Sequence, residues 1–177
     1  MTELAASPVE MRLLSPADLG AYKSLRDGML AAHPEVFTSD AATDLERSAE
    51  SYLPRLGLEL PEGGQFMLGA WRHGVLVGAL GSERDNRIKV RHTAHLIGMM
   101  VRPDQRGQRI ATRLLDECIC RLRSTAGIEM LTLTVTHCNA PAIRLYEQAG
   151  FVTCGSLPRA IRVGTAYFAK NQMVMML

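Results

Sequence analysis

No run of apolar residues in this 177-residue chain approaches the roughly 20 that a membrane-spanning helix needs. Nor does the stretch from Met1 to Met11 place a cationic flank ahead of an apolar run, the pattern of a secretory leader. Both absences lead us to expect a soluble, cytoplasmic protein with no membrane partner. A charge bias is missing as well. The 20 Lys and Arg residues are nearly balanced by 18 Asp and Glu, giving a formal net charge of +2, whereas a nucleic-acid binder carries a strong basic excess. A basic cluster, Arg84, Arg87, Lys89 and Arg91, flanks a turn without interleaved aromatics on which bases could stack, so no nucleic-acid partner is expected. The four cysteines, Cys118, Cys120, Cys138 and Cys154, match no zinc or thioredoxin spacing and read as reduced thiols used as small apolar residues. His92 and His95 would share a face on a helix, but their surroundings read as strand, where positions three apart point to opposite sides. No metal is therefore expected.

What remains is ordinary globular material, 47% hydrophobic and 21% charged, of a length that suits one domain over residues 1–177. Ser15-Pro16-Ala17-Asp18 is a helix start, with an N-cap serine, proline in the first turn and an acid three residues on. Leu19, Tyr22, Leu25, Arg26 and Met29 follow at helical spacing, and Pro34 ends the element. A second helix is predicted over 42–56, with Leu45, Tyr52, Leu53 and Leu56 along one side, followed by a loop over 57–64. Strands are predicted over 66–71 and 75–82, joined by the hairpin turn Arg72-His73-Gly74, and a third over 90–101 that Pro103 stops. A helix over 107–125, a strand over 130–136, a helix over 139–149 closed by Gly150, and strands near 151–155 and 165–176 complete the chain. The order of elements describes a mixed α/β domain built on one central sheet.

The chemistry concentrates between the third strand and the next helix, in Val101-Arg102-Pro103-Asp104-Gln105-Arg106-Gly107-Gln108-Arg109-Ile110-Ala111-Thr112. A strand stopped by proline, a turn of small residues and a new helix leave backbone N–H groups unpaired at the positive end of a dipole, where an anion is favoured. No Gly-Lys-Ser/Thr follows, so this is not a nucleoside triphosphate loop. On the helix, Ala111, Leu114, Leu115, Cys118 and Leu122 gather toward the sheet, while Arg106, Arg109 and Arg113 gather on the opposite side with Arg102 just before them. Those arginines read either as a solvated cationic face or as ligands for an anion. Placed in the first two turns, they would oppose the helix dipole unless an anion were nearby.

Val101 to Ala111 resembles the pyrophosphate loop of the GCN5-related N-acetyltransferases, Arg/Gln-x-x-Gly-x-Gly/Ala. Arg106 fills its first position, Ala111 its last, and Arg109 stands where the family has glycine. Asn139-x-x-Ala142-x-x-x-Tyr146-x-x-x-Gly150-Phe151, after the strand ending at Thr136, is similar to the family's second motif with every anchor present. Asn139 suits an N-cap and Gly150 a C′ position, while Ala142, Leu145, Tyr146 and Ala149 form one helical face that turns Tyr146 toward the sheet. The resemblance covers most of the chain. His33-Pro34-Glu35-Val36-Phe37 and the 157–163 stretch also look like one bacterial branch of the superfamily.

The resemblance implies a single N-acetyltransferase domain, with a central, mostly antiparallel sheet flanked by helices and two splayed parallel strands. It implies an acetyl-CoA cosubstrate and direct transfer to an amine acceptor in a ternary complex. Backbone of Met99, Met100 and Val101 would hold the pantetheine arm and polarise the thioester. Arg106, Gly107, Gln108, Arg109, Ile110, Ala111 and Thr112 would cradle the pyrophosphate, with Asn139, Ala142 and Tyr146 on the other flank. The catalytic pair it implies is His95, as general base, and Tyr146, as acid to the leaving thiolate. Glu83, His137 or a water relay are alternative bases, and as plain structure His95 is a hydrogen-bonded strand histidine and Tyr146 a core aromatic. A non-catalytic acyl-CoA sensor with the same fold is the rival reading. Glu35, Asp40, Asp44 and Glu46 could favour a cationic acceptor, and the apolar strand 173–177 could pair across a homodimer.

Overall fold

The computed structural model describes residues 9–59 and 63–177, so part of the predicted loop over 57–64 lies outside the described residues. The first helix begins where the sequence places it. Ser15 and Asp18 form a capping box around the 3-10 turn Pro16–Asp18, and α1 runs on through Leu19–Ala32. Its buried side carries Leu19, Tyr22, Leu25, Arg26, Met29 and Leu30. The next segment departs from expectation. Instead of one helix there are two short pieces, α2 (Ala41–Leu45) and a 3-10 stretch (Ala49–Leu56), and Leu45 and Leu53 are exposed while Tyr52 and Leu56 are buried. What anchors the segment is polar: Asp44 accepts from Arg26 Nε at 2.6 Å and from the Tyr52 hydroxyl at 3.0 Å, with both members of the ion pair almost fully buried.

A seven-stranded sheet forms the middle layer, in the order β1-β2-β3-β4-β5-β7-β6. Its strands are β1 (Glu10–Leu13), β2 (Phe66–Arg72), β3 (Val75–Arg84), β4 (Thr93–Val101), β5 (Met130–Thr136), β6 (Val152–Val163) and β7 (Ala166–Met176). β1 was not predicted, and β4 starts three residues later than expected because 87–92 turn instead of extending. His92 thus belongs to that turn and His95 to the strand. The β2–β3 hairpin closes through His73 and Gly74, both at positive φ, as a tight two-residue turn requires.

Every neighbouring pair is antiparallel except β4 and β5. That parallel ladder contains only three residue pairs, Thr93–Met130, Ala94–Leu131 and His95–Thr132. Beyond His95 the two strands part. Gly98, at φ +61, lies where β4 shifts register against β3, a bulge that bends the strand away from its neighbour.

Helices cover both faces. α3 (Ile110–Arg123) and α4 (Ala140–Ala149) pack on one, with Leu114, Leu115, Cys118 and Leu122 buried against Leu68, Leu80, Leu96, Leu131 and Leu133. α1 and the 3-10 stretch pack on the other, with Tyr22 and Tyr52 against Met67, Leu76, Ala79 and Met100. Only Cys118 of the cysteines has the apolar burial expected of all four; the other three are exposed. β7 lies between β5 and β6; within the 173–177 stretch expected to pair two copies, Met173 and Val174 are paired on both sides and Met175 and Met176 with β5 alone. The edge on that side of the sheet is β6.

Candidate functional site

The loop after β4 is built differently from the predicted helix start. Pro103–Gln105 forms a 3-10 turn, Gly107 and Arg109 both adopt left-handed backbone, and α3 begins only at Ile110. Arg109 is therefore not a helical residue pointing outward. At φ 57° it occupies the conformation that glycine adopts freely and other residues adopt at a cost. Arg106 and Arg109 precede the helix, which leaves Arg113 alone in its first turn; Arg113 donates to the Val9 carbonyl at 2.8 Å. No side chain caps α3 at its N-cap position, so its first N–H groups remain available.

Arg72, at the end of β2, grips this loop from outside. Its guanidinium donates to Gln105 Oε1 at 2.6 Å and to Gln108 Oε1. Sequence spacing gave no signal for this contact, since more than 30 residues separate the partners. Among the described residues Arg106, Arg109 and Arg144 have no carboxylate partner. Arg106 meets His33 Nε2 at 2.9 Å instead.

A cavity of about 620 Å³ occupies the gap between β4 and β5. Met99, Met100 and Val101 form one wall, Arg106 and Ala111 the mouth, and Asn139, Ala142 and Arg144 the opposite wall. Since the β4–β5 ladder has already ended, the edge of β4 facing this cavity has no β5 partner for its backbone groups. Asn139 caps α4, its side chain accepting from Ala142 N–H at 3.4 Å. The 33–37 segment roofs the gap: the Thr136 hydroxyl donates to the carbonyls of Glu35 and Val36 at 3.1 and 3.2 Å. Of the loop residues proposed to cradle an anion, Gly107, Gln108, Arg109 and Thr112 are exposed, whereas Ile110 is buried in the core.

Tyr146 does not line this cavity. It stands behind Ala142 and Leu145, 7% exposed and edge-on to Phe151, where burial and the neighbouring Cys118 thiol hold its phenol well above the usual range. His95 belongs to a second cavity, on the α1 side of the sheet, together with Glu83, its direct cross-strand neighbour. Its Nδ1 lies 2.8 Å from the Thr132 hydroxyl. Burial lowers its pKa; the carboxylate of Glu83 opposes that shift and the ammonium of Lys170 adds to it. His137 is exposed beyond β5, near the carbonyl of Ala169.

The acidic residues expected to welcome a cation do not converge. Asp44 is buried on Arg26, Asp40 caps α2 through Thr43 N–H, Glu46 is exposed, and only Glu35 reaches the gap. The basic cluster is also partly engaged within the protein. Arg84 donates to the carbonyls of Arg91, Gly63 and Ala126, and Arg87 pairs with Asp85. Among the described residues no three His, Cys, Asp or Glu side chains are grouped to hold a metal, and no helix is long and apolar enough to cross a membrane.

A mixed sheet that opens between its two parallel strands, with a turn and the start of a helix beside the opening, is the fold of the N-acetyltransferases. The chain belongs to the acetyltransferase (GNAT) family, whose model matches residues 23–151. Among solved structures it is similar to an acetyltransferase of the GNAT family from Streptococcus pneumoniae, at 23% identity and a TM-score of 0.82 over 96% of this chain and 99% of that one. It is similar also to yncA from Salmonella typhimurium, solved with its cofactor acetyl-CoA, at 19% identity and a TM-score of 0.81 over 96% and 94% of the two chains. The ribosomal-protein-alanine N-acetyltransferase from Brucella melitensis follows at 22% identity and 0.77, over 95% and 99%. No curated protein matches the sequence.

Proposed function

We propose that this protein transfers the acetyl group of acetyl-CoA to a primary amine of a small molecule or peptide, directly within a ternary complex. One observation carries the reading: the unpaired edge of β4 at Met99–Val101 faces a 620 Å³ cavity whose mouth is lined by Arg106 and Ala111. Exposed backbone donors, guanidinium groups without carboxylate partners and an apolar slot fit the thioester, the pyrophosphate and the pantetheine arm respectively. When bound, the cosubstrate supplies an activated acetyl carbonyl. Backbone N–H groups of Met99–Val101 orient and polarise that carbonyl. Arg106 and the N-terminus of α3 hold the diphosphate, and Arg72 keeps the loop in place through Gln105 and Gln108.

An alkylamine with a pKa of about 10.4 arrives protonated near neutral pH. His95 accepts its proton, leaving the lone pair to form the new C–N bond as the C–S bond breaks. Tyr146 keeps its own proton; buried behind Ala142 and Leu145, it can pass that proton to the departing thiolate only by turning its hydroxyl into the gap, and otherwise water protonates the thiolate, bulk water restoring each group. The position of Tyr146 behind the cavity wall favours one competing reading, an acyl-CoA sensor that does no chemistry.

Thiol release from acetyl-CoA across a panel of amines separates the two. We expect release that depends on the amine, and we expect Tyr146→Phe to slow turnover by about 100-fold, the lower end of acid–base effects, without changing the Kd for acetyl-CoA. Unchanged turnover would remove Tyr146 from the mechanism. Tight acetyl-CoA binding with no release from any amine would favour the sensor.

A further inference from the structure

The gap that the reading above gives to the thioester has one carboxylate in its lining among the described residues, that of Glu35. Met29, Val36 and Phe37 line the same cavity, together with the wall of Met99–Val101. The backbone that carries Glu35 is fixed. The Thr136 hydroxyl donates to the Glu35 and Val36 carbonyls, and the Val36 N–H donates to the His33 carbonyl at 3.1 Å. The Glu35 side chain takes no part in these contacts.

What stands beside the carboxylate does not neutralise it. Arg106 meets His33 Nε2 at 2.9 Å, and since a guanidinium only donates, that nitrogen accepts. The neutral ring then carries its proton on Nδ1, 3.8 Å from Glu35 Oε1, too far for a hydrogen bond. No lysine or arginine pairs with Glu35 among the described residues. A second negative feature opens on the same cavity. α1 ends at Ala32, beside the lining residues Met29 and His33, with no basic side chain in its last turn to complement the negative pole of the helix. The two guanidinium groups of the cavity, Arg106 and Arg144, are of the kind the reading above gives to the diphosphate, so no cation is left for an acceptor carboxylate.

We infer that Glu35 receives the ammonium of the acceptor, and that the acceptors are amines with no carboxylate beside the nitrogen. This rests on the acetyl-transfer reading above and narrows it. Alkylamines and the first residue of a peptide meet the requirement. A free amino acid does not, because its carboxylate would enter a cavity where Glu35 and the pole of α1 repel it. Glu35 holds and orients the amine and leaves removal of its proton to the base, so its effect belongs in KM.

The test compares three forms of the leucine, phenylalanine and lysine side chains: the free amino acid, its primary amide, and the alkylamine that lacks the carboxyl group. Turnover is read by thiol release at saturating acetyl-CoA, and binding by calorimetry on protein saturated with CoA. We expect at least one amide or alkylamine to exceed its acid by about tenfold or more in kcat/KM, the worth of one hydrogen bond to a charged group. Glu35→Gln keeps the backbone contacts of the loop. It should raise KM for that amine by a similar factor, narrow the preference and leave the Kd for acetyl-CoA unchanged, while Glu35→Asp keeps the preference. An amide better than its alkylamine would mark a peptide N-terminus as the source and the converse a small amine; either upholds the inference. Acids that react as well as their amides, an unchanged KM in Glu35→Gln, weakened acetyl-CoA binding in that variant, or no binding of any amine would overturn it. Glu35-dependent binding of amines with no thiol release would uphold it and overturn acetyl transfer instead; release that ignores Glu35 would do the reverse.

Discussion

As the proposed base, His95 would have to be neutral to accept a proton, and its surroundings favour that state. Burial disfavours the imidazolium, Lys170 disfavours it further, and Glu83 offsets only part of this; Asp85, paired with Arg87, and Arg84 complete the charged groups of the cavity. A pKa held below the ordinary 6.5 keeps the base competent throughout neutral pH, so activity should fall on acidification only below about that value. The pH profile of kcat should show this acid limb, and His95→Gln should remove it together with about 100-fold of rate. A limb that survives the substitution would assign proton removal elsewhere. Of the residues the resemblance singled out, Met99–Val101, Arg106, Ala111, Asn139 and Ala142 do come together around one cavity, whereas His95 lines another and Tyr146 neither. The conformation of Arg109 was not legible: spacing makes it the third residue of a helix, whereas two left-handed residues hold the chain off the helical path until Ile110. Arg72 was invisible for a different reason, since its partners are brought near only by the folded sheet.

Among the elements, the segment between α1 and β2 depends most on one contact. Burial alone would raise the pKa of Asp44, but hydrogen bonding and charge from Arg26, with the Tyr52 hydroxyl, bring it below the ordinary value. The stability this supplies is complete at neutral pH and is lost as the pH falls through the depressed pKa. Asp44→Ala would leave the buried Arg26 uncompensated and should cost about 3–5 kcal/mol in urea unfolding, while replacing both partners with leucine should cost less. A double variant as unstable as the single one would contradict this account. Helical periodicity misread the same segment as one amphipathic helix because it weighs leucines. Here Leu45 and Leu53 face water, and an aspartate and a tyrosine provide the inward contacts.

At the scale of the molecule, the class of fold was legible from the order of elements, and the strand and helix between Met130 and Ala149 read almost to the residue. β1 escaped because four residues are too few to show alternation, and β6 was cut short because Pro158 and Arg159 lie in a bulge that the strand runs through. The sheet itself is two antiparallel halves joined by three ladder pairs. A ligand in the gap contacts both halves, so acetyl-CoA at 100 times its Kd should stabilise the protein by about 2.7 kcal/mol. Hydrogen exchange should show the added protection concentrated in 96–101 and 133–136. Protection confined to the loop over 102–109 would mean that the gap is not where the ligand lies.

The same division gives the chain an order of assembly. β1 to β4 are consecutive neighbours, each joined to the next by antiparallel pairing, and can form while the ribosome is still making the remainder. The second half cannot close in that way. β7 must be inserted between β5 and β6 although it follows both in sequence, so the second half of the sheet closes only after β7 has been made. A nascent chain can therefore carry a finished half-sheet, with the 102–109 turn at its edge, well before β5 has gained its neighbour on the other side.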